Sequence, residues 1–155
     1  MTAPKPPALD PATLPVEAGV SGYPQPFRAA VAGRNRRRLG NAVGLTDFGV
    51  NLVELLPGAA SALRHWHSHE DEFVYIVSGE LTLVTDAGEQ VLTAGMCAGF
   101  PKAKADGHHL VNRSAAPASY LEIGSRNLLD EAFYPDDDLQ LRRRRTFQHK
   151  DGSEW

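Results

Sequence analysis

The chain has one cysteine, Cys97, among its 155 residues, so an intrachain disulfide is excluded. A lone thiol of this kind is expected to be buried like a small apolar side chain. No run of about 18 apolar residues is present to span a membrane. The opening stretch, MTAPKPPALDPATLP, lacks the basic start and apolar segment of a secretory signal. These absences predict a cytoplasmic protein with no membrane partner.

An excess of basic charge is also missing. Sixteen Lys and Arg residues face nineteen Asp and Glu residues, which gives a formal net charge of −3 at pH 7. This balance argues against nucleic acid as a partner, because a general affinity for phosphate requires positive charge. Two arginine runs, 34–38 and 142–145, are predicted to form ion pairs on the surface or between subunits, since the acids of YPDDD stand just before the second run.

A convincing amphipathic helical pattern is absent as well. Short apolar segments separated by glycine-containing turns occupy the chain from about residue 45 to residue 126. The candidate strands are GVNLVELL, SALRHWH, EFVYIVSG, ELTLVT, EQVLTAG, HHLVNR and SYLEIGS. The stretch ELTLVTDAGEQVL is typical of a β-hairpin that turns at Asp-Ala-Gly. The pattern predicts an all-β protein, an antiparallel sandwich or barrel.

Composition divides the chain into three parts. Most of its eleven prolines lie in residues 1–26, which are predicted to form an extended arm on the surface or on a partner subunit. Residues 27–126 are predicted to form the β-barrel domain, with its core at about 45–125. Residues 127–155 form a polar tail, expected to pack on the barrel or on a partner.

The stretch HWHSHEDE carries candidate metal ligands. In a strand His65 and His67 point to the same side, because alternate side chains share a face. Glu72 opens the next apolar segment, which a hairpin would bring back beside the first. Imidazole and carboxylate groups are common ligands of divalent metals. The other interpretation is a polar, solvated loop, and the two histidines alone favour that one.

A second histidine cluster lies in GMCAGFPKAKADGHHLVN. In a strand His108, Leu110 and Asn112 share one face, while His109 and Val111 share the other. One of the two histidines must therefore face the interior. A buried imidazole without a partner is unfavourable, and a metal ion would satisfy it. The choice between His108 and His109 stays open at this point.

Together the two clusters resemble the paired motifs of the cupins. The first cupin motif is G, five residues, H-x-H, three or four residues, E, six residues, G. Here Gly58 is followed by six residues, His65 and His67, four residues, Glu72, six residues and Gly79. The first gap is one residue longer than the pattern, and the rest agrees.

The second cupin motif is G, five residues, P-x-G, two residues, H, three residues, N. Gly95 and Pro101 fit its first half, and His108 and Asn112 fit its second half. Between them KAKADG replaces the usual shorter link. The resemblance covers about residues 45–125.

The resemblance implies a double-stranded β-helix, the RmlC-like jelly-roll barrel of the cupins, with one divalent metal ion per chain. Zinc, iron, manganese and nickel are all compatible with such a site. The ligands that it implies are His65, His67, Glu72 and His108. A set built on His69 is disfavoured because only two residues would separate it from the acid. Glu70 and Asp71 are then expected to be solvated.

The resemblance leaves the activity open. Cupins include dioxygenases, isomerases, lyases and decarboxylases, so the first expectation is an enzyme acting on a small polar or acidic metabolite. The alternative is a non-catalytic, metal-containing module that binds or senses a small ligand. Tyr75 and Tyr120 are proton donors by residue type, but the sequence assigns no catalytic residue. A homodimer is expected, because the sheet edges of a small jelly roll need covering and a proline-rich arm can cross to a neighbour.

Overall fold

The structure, a computed structural model, describes residues 5–143 and 146–155. In chain order the strands within these ranges are β1 (Glu17–Ala18), β2 (Arg34–Arg38), β3 (Phe48–Leu55), β4 (Trp66–His67), β5 (Glu72–Ser78), β6 (Glu80–Thr85), β7 (Gly88–Thr93), β8 (Cys97–Phe100), β9 (His109–Val111), β10 (Ala118–Ser125), β11 (Ala132–Tyr134), β12 (Leu139–Arg142) and β13 (Thr146–Gln148). The helices of these ranges are short: two 3-10 helices, Pro11–Thr13 and Gln25–Val31, and α1 (Leu39–Ala42). None of the described helices has the length and apolar character needed to cross a membrane.

The strands form three antiparallel sheets. The largest has the order β1-β2-β3-β10-β5-β8, the second β13-β12-β11-β4, and the third β7-β6-β9. Sequential neighbours along the chain are often not neighbours in a sheet, since β10 lies between β3 and β5. The predicted all-β, antiparallel architecture is confirmed.

The main core lies between the largest sheet and the sheet of β6, β7 and β9. Alternate residues of β3, β5 and β10 point inward, and so do residues of β6 and β9. Fully buried side chains of this core are Val53, Leu55, Ile76, Leu81, Leu110 and Tyr120. Each such side chain stabilises the fold by roughly 1.5–3 kcal/mol relative to an exposed position. The apolar alternation seen in the sequence is therefore the inner face of this barrel.

The predicted hairpin is present as β6 and β7. Thr85 pairs with Gly88, so the turn consists of Asp86 and Ala87. The hairpin prediction is confirmed, because turn residues and strand alternation act over a few neighbouring positions.

A second core joins the two ends of the chain. Tyr23 and Val31 pack with Ala132, Tyr134 and Leu139, which belong to β11 and β12. These C-terminal strands are additional to those predicted, because each is only three or four residues long and mixes apolar with polar residues. The predicted division into arm, barrel and tail stays a prediction.

The arginine run of β2 forms ion pairs at the surface, as predicted. Arg36 and Arg38 each approach the carboxylate of Glu17 to 2.8 Å. In the second run Arg142 lies 3.4 Å from Glu131, and residues 144–145 lie outside the described residues. Such pairs between partly exposed groups contribute about 0–1 kcal/mol each.

The expectation of a buried cysteine is wrong. Cys97 is exposed. It pairs with Tyr75 across β8 and β5, and both side chains point away from the barrel, while Ala98 and Phe100 alternate toward the core. The register of an edge strand, which the sequence does not show, decides the face of this thiol.

Candidate metal centre

The two histidine clusters lie side by side. His65 and His108 form an antiparallel bridge, in which His65 N donates to His108 O at 3.2 Å and His108 N donates to His65 O at 2.9 Å. His67 follows two residues after His65, so both imidazoles lie on the same side of the strand. Residues that are about 40 positions apart in the sequence thus come together through backbone hydrogen bonds.

Glu72 supplies a carboxylate to this cluster from the start of β5. Its Oε2 lies 3.6 Å from His65 Nε2 and 2.7 Å from His108 Nε2, and its Oε1 lies 3.5 Å from His67 Nε2. Gly124 is its neighbour on β10, and a Cβ there would lie 3.8 Å from Glu72 Cγ. Glu72 thus contacts all three imidazoles from a position next to β10.

Hydrogen bonds orient two of the imidazoles. His65 Nδ1 donates to Leu63 O at 2.7 Å, and His67 Nδ1 donates to Asp130 Oδ2 at 2.6 Å. A carbonyl and a carboxylate can only accept, so Nδ1 carries a proton in each ring and Nε2 faces Glu72. Fixing a ring by its distal nitrogen in this manner is typical of metal-binding histidines.

The donor set fits a divalent cation. The ligand atoms of His65, His67 and Glu72 all lie within 4.8 Å of one another. Two imidazoles and a carboxylate suit zinc, iron, manganese or nickel, and donor type alone does not choose among them. A possible metal site made of His65, His67 and Glu72 is therefore present in the fold.

His108 adjoins this group through Glu72. Its ring stacks on Phe100 at a centroid distance of 3.6 Å, and its Nδ1 lies 3.3 Å from Asp106 O. His108, Leu110 and Asn112 are all buried, so this face of the strand points inward, in the register expected from the motif spacing. That His108 is the fourth ligand stays a prediction.

Two other described histidines, His69 and His109, do not contact Glu72. His109 points to the other side of β9, where its Nδ1 donates to Ala62 O at 2.8 Å and burial lowers its pKa. His69 lies after β4, within 2.7 Å of the Ser68 hydroxyl. Both positions agree with the interpretation that neither His69 nor His109 belongs to the ligand set of His65, His67, Glu72 and His108.

The expectation that Glu70 is solvated is wrong. Its exposed fraction is 9%, and its carboxylate accepts a hydrogen bond of 2.8 Å from Asn127 N. The segment that follows β10 folds over this residue, which the sequence does not show. Glu70 and Asp130 form a second group of potential ligand atoms with His67.

Asp130 is a site residue that sequence reasoning missed. It accepts hydrogen bonds from His67 Nδ1 and, at 2.8 Å, from His69 N. It lies in the segment predicted as a polar tail, and no motif or spacing connects it with the histidines. Only the pairing of β11 with β4 brings it there.

Opposing effects set the charges of the cluster. Burial raises the pKa of Glu72, but hydrogen bonds from His108, His65 and His67 lower it by more, so it lies well below its usual range. Burial lowers the pKa of His67, yet Asp130 and Glu72 together raise it to about 10. The two carboxylates thus favour positive charge at His67, and a metal cation would compete with a proton there.

The cluster lies between an opening and the barrel interior. The opening is lined by His67, His108 and Lys104, among others. The interior cavity is lined by His65, Glu72 and His108 together with Tyr120 and Glu122. Of the two tyrosines considered from the sequence, Tyr120 lies in this cavity, while Tyr75 is 42% exposed on the outer face of β5. No motif or spacing in the sequence marks Glu122.

Comparisons with known proteins agree with this architecture. The cupin domain description matches residues 51–124. A search of curated proteins finds no match. The crystal structure of a sugar phosphate isomerase from a cupin superfamily, from Silicibacter pomeroyi DSS-3, is 44% identical with a TM-score of 0.90, and 96% of each chain is covered.

Two further solved structures extend the comparison. A putative sugar phosphate isomerase from Acidithiobacillus ferrooxidans is 32% identical with a TM-score of 0.70, and 76% of each chain is covered. An RmlC-like cupin from Shewanella frigidimarina is 19% identical with a TM-score of 0.55, and the match covers 75% of this chain and 86% of that one. The last likeness concerns the fold alone. The predicted jelly-roll barrel is confirmed.

Proposed function

Because the chain belongs to the cupin superfamily, we propose that it is a metal-dependent isomerase of a phosphorylated sugar. The observation that carries this proposal is the likeness to the Silicibacter pomeroyi sugar phosphate isomerase, at 44% identity over 96% of both chains. The likeness extends over nearly the whole length of both chains and is not limited to the barrel core. The inward-facing histidines and Glu72 agree with it, since aldose–ketose isomerisation requires a polarised carbonyl group.

The ion would be held by His65, His67, Glu72 and His108. A divalent cation at this place would polarise a sugar carbonyl and lower the pKa of the adjacent hydroxyl. The protein's own contribution is to hold the rings, through Leu63 O and Asp130, and to keep Glu72 ionised. The stacked ring of Phe100 shields His108 from water.

Lys104 is the candidate for binding the phosphate. It lines the opening next to His67 and His108. Its loop is held against β4, because Ala103 N donates to His67 O at 2.8 Å. The nearest acid, Asp106, is 4.0 Å from the ammonium group, so most of its hydrogen-bonding capacity is open to an anion. The longer link KAKADG thus places a positive charge where a sugar phosphate would enter.

The proposal is tested by metal analysis followed by a substrate screen. Purified protein is analysed for bound metal, then loaded in turn with zinc, iron, manganese and nickel. Each form is incubated with a panel of aldose and ketose phosphates, and the products are followed by NMR. We expect about one ion per chain and interconversion of at least one aldose–ketose pair. His67→Ala should lose both the metal and the activity.

Two results would contradict the proposal. Activity that persists in metal-free protein would remove the ion from the reaction. Stoichiometric metal with no conversion of any sugar phosphate would favour the alternative, a metal-containing module that binds a small ligand without turning it over.

A further inference from the structure

Glu122 places a second carboxylate in the barrel beside the metal centre. On β10 it is one inward position beyond Tyr120, and it pairs with Val74 of β5 and Asn51 of β3. The cavity that it lines is the one lined by His65, Glu72 and His108. The alternation of β10 therefore directs this carboxylate to the same space as the histidines.

The carboxylate of Glu122 is held but not neutralised. Asn51 Nδ2 donates a hydrogen bond of 3.2 Å to its Oε2. The ion pairs found across residues 5–143 and 146–155 do not include Glu122. One oxygen is thus fixed by Asn51, while the other can accept a proton from a bound molecule.

Tyr120 provides a hydroxyl group in the same cavity. It is 1% exposed, and its Oη has no hydrogen-bond partner in the described part of the chain. Burial and the charge of Glu122 raise the pKa of Tyr120 well above its usual range. The Ser61 hydroxyl lies outside hydrogen-bonding geometry and offsets this rise only partly. The hydroxyl keeps its proton, and a buried donor without a partner is unfavourable until a ligand oxygen accepts from it.

Glu72 is not available for proton transfer. All three imidazoles of the cluster contact its two oxygens, so it is committed to the histidines and to the ion they would hold. Glu122 is the other carboxylate of the interior cavity. Glu72 is surrounded by imidazoles, which suits a metal ligand, whereas Glu122 is held by the amide of Asn51, which leaves it suited to proton transfer.

We propose that Glu122 is the general base of the reaction and moves the carbon-bound proton, while Tyr120 donates a hydrogen bond to a substrate oxygen. This inference rests on the proposed isomerase function. Glu122 takes the proton from C2 of an aldose phosphate, and the electron pair of the C–H bond forms the C1–C2 double bond of an enediol. The proton of the C2 hydroxyl passes to the C1 oxygen, so that C2 becomes the carbonyl carbon of the ketose. Glu122 returns its proton to C1, where the electron pair of the C1–C2 double bond forms the new C–H bond.

The chain offers a matched control for this role. Asn35 and Glu54 form the same kind of pair between neighbouring strands, with Asn35 Nδ2 donating to Glu54 Oε1 at 3.0 Å. This pair lies on the outer face of the sheet, whereas Asn51 and Glu122 lie on the inner face. Glu54→Gln therefore makes the same chemical change to the same kind of contact, outside the barrel.

The experiment compares Glu122→Gln, Glu122→Asp and Glu54→Gln with the unmodified protein, using a converted sugar phosphate from the panel in D₂O. Glu122→Gln should reduce kcat and deuterium incorporation at carbon by about 10²–10⁴-fold, the usual contribution of a positioned base. Its metal content should be unchanged and its KM should stay within about threefold. Glu122→Asp, which keeps a carboxylate one methylene farther away, should be intermediate, and Glu54→Gln should match the unmodified protein.

The outcomes separate the inference from the proposed function. If the unmodified protein converts no member of the panel, the isomerase function fails and this inference fails with it. If the unmodified protein is active and Glu122→Gln keeps its kcat within tenfold, Glu122 is not the base. Metal loss in Glu122→Gln in proportion to its activity, or equal kcat in the Asp and Gln variants, would also overturn the assignment.

Discussion

Asp130 links the C-terminal segment to the candidate metal centre through one hydrogen bond to His67. Asp130→Ala should weaken metal binding about 10–100-fold, because the ring would lose the partner that fixes its orientation. The measurement is a titration against a chromophoric chelator. Asp138→Ala is the control, since Asp138, like Asp130, accepts from one imidazole and one backbone N–H. Its partners are His149 Nδ1 at 2.7 Å and Lys150 N at 2.8 Å, away from the site. Equal affinity losses in the two variants would show a general effect on folding instead.

His108 and His109 are adjacent but differ in the face of β9 that they occupy. His108→Ala should reduce metal affinity much more than His109→Ala, because only His108 reaches Glu72. Parallel metal titrations of the two folded variants decide the point. A larger loss in His109→Ala would mean that the assigned ligand set is wrong by one residue.

Lys102 and Lys104 stand two positions apart on the same loop, and only Lys104 lines the opening. Lys104→Met should raise the KM for a sugar phosphate about tenfold, since a hydrogen bond between charged groups contributes about 1.5 kcal/mol or more. The corresponding change at Lys102 should leave KM unaltered. Steady-state kinetics of both variants test this, and equal KM values for the two would exclude Lys104 as the phosphate ligand.

Among the elements, the turn between β5 and β6 packs closely against β10. Gly79 has φ +73°, and a Cβ there would lie 2.8 Å from Ala118 Cβ. Gly95, between β7 and β8, has φ +90° but nothing within 4 Å of such a Cβ. Both Ala variants adopt a left-handed backbone, which costs about 1–2 kcal/mol, and Gly79→Ala adds overpacking of about 1–3 kcal/mol.

Urea unfolding of the two variants measures this difference. Gly79→Ala should have the lower free energy of unfolding, with an unchanged slope against denaturant. Equal destabilisation would indicate that β10 moves away from the turn at little cost in energy.

Strand β4, which carries His67, is held in place by contacts with distant parts of the chain. It is only two residues long, and it is held by pairing with β11, by the bridge between His65 and His108, and by Tyr23 Oη, which accepts from Leu63 N at 3.2 Å. The predicted longer strand SALRHWH is thus mostly an irregular segment. Contacts from both ends of the chain, rather than intrinsic strand preference, place its histidines.

On the scale of the whole molecule, the outer face of the largest sheet carries exposed apolar side chains. Phe73, Tyr75 and Val77 of β5 are 39%, 42% and 46% exposed. A row of this kind is typical of an interface with another protein surface. It supports the homodimer, which stays a prediction.

Light scattering tests the homodimer and its interface together. We expect a dimeric mass at micromolar concentration, and Tyr75→Glu should shift the mass toward the monomer, because burying an unpaired charge is strongly unfavourable. Val91→Glu is the control, since Val91 is 54% exposed but lies on β7 in another sheet. A monomeric mass for the unmodified protein would refute the prediction.

Local sequence patterns, together with the two cupin motifs, were enough to predict the architecture and the residues at the centre of the candidate site. Apolar alternation and glycine turns act over a few residues, so they predicted an antiparallel sandwich or barrel and the β6–β7 hairpin, and the resemblance to the cupins implied the barrel. The spacing of His65, His67 and Glu72 follows from their places on two successive strands. In the second cluster the residues alone left the choice between His108 and His109 open, and the match of His108 and Asn112 to the second cupin motif implied that His108 faces inward.

The residues that surround that centre depend on contacts between distant strands, which local patterns do not contain. Asp130 reaches His67 because β11 pairs with β4, Glu70 is covered by the segment after β10, and Glu122 faces the histidines because β10 lies between β3 and β5. Each of these contacts joins residues far apart in the chain, through short strands with weak local signals. Local patterns specify which face a side chain takes along its own strand, but strand order and register across the sheets decide what it meets there.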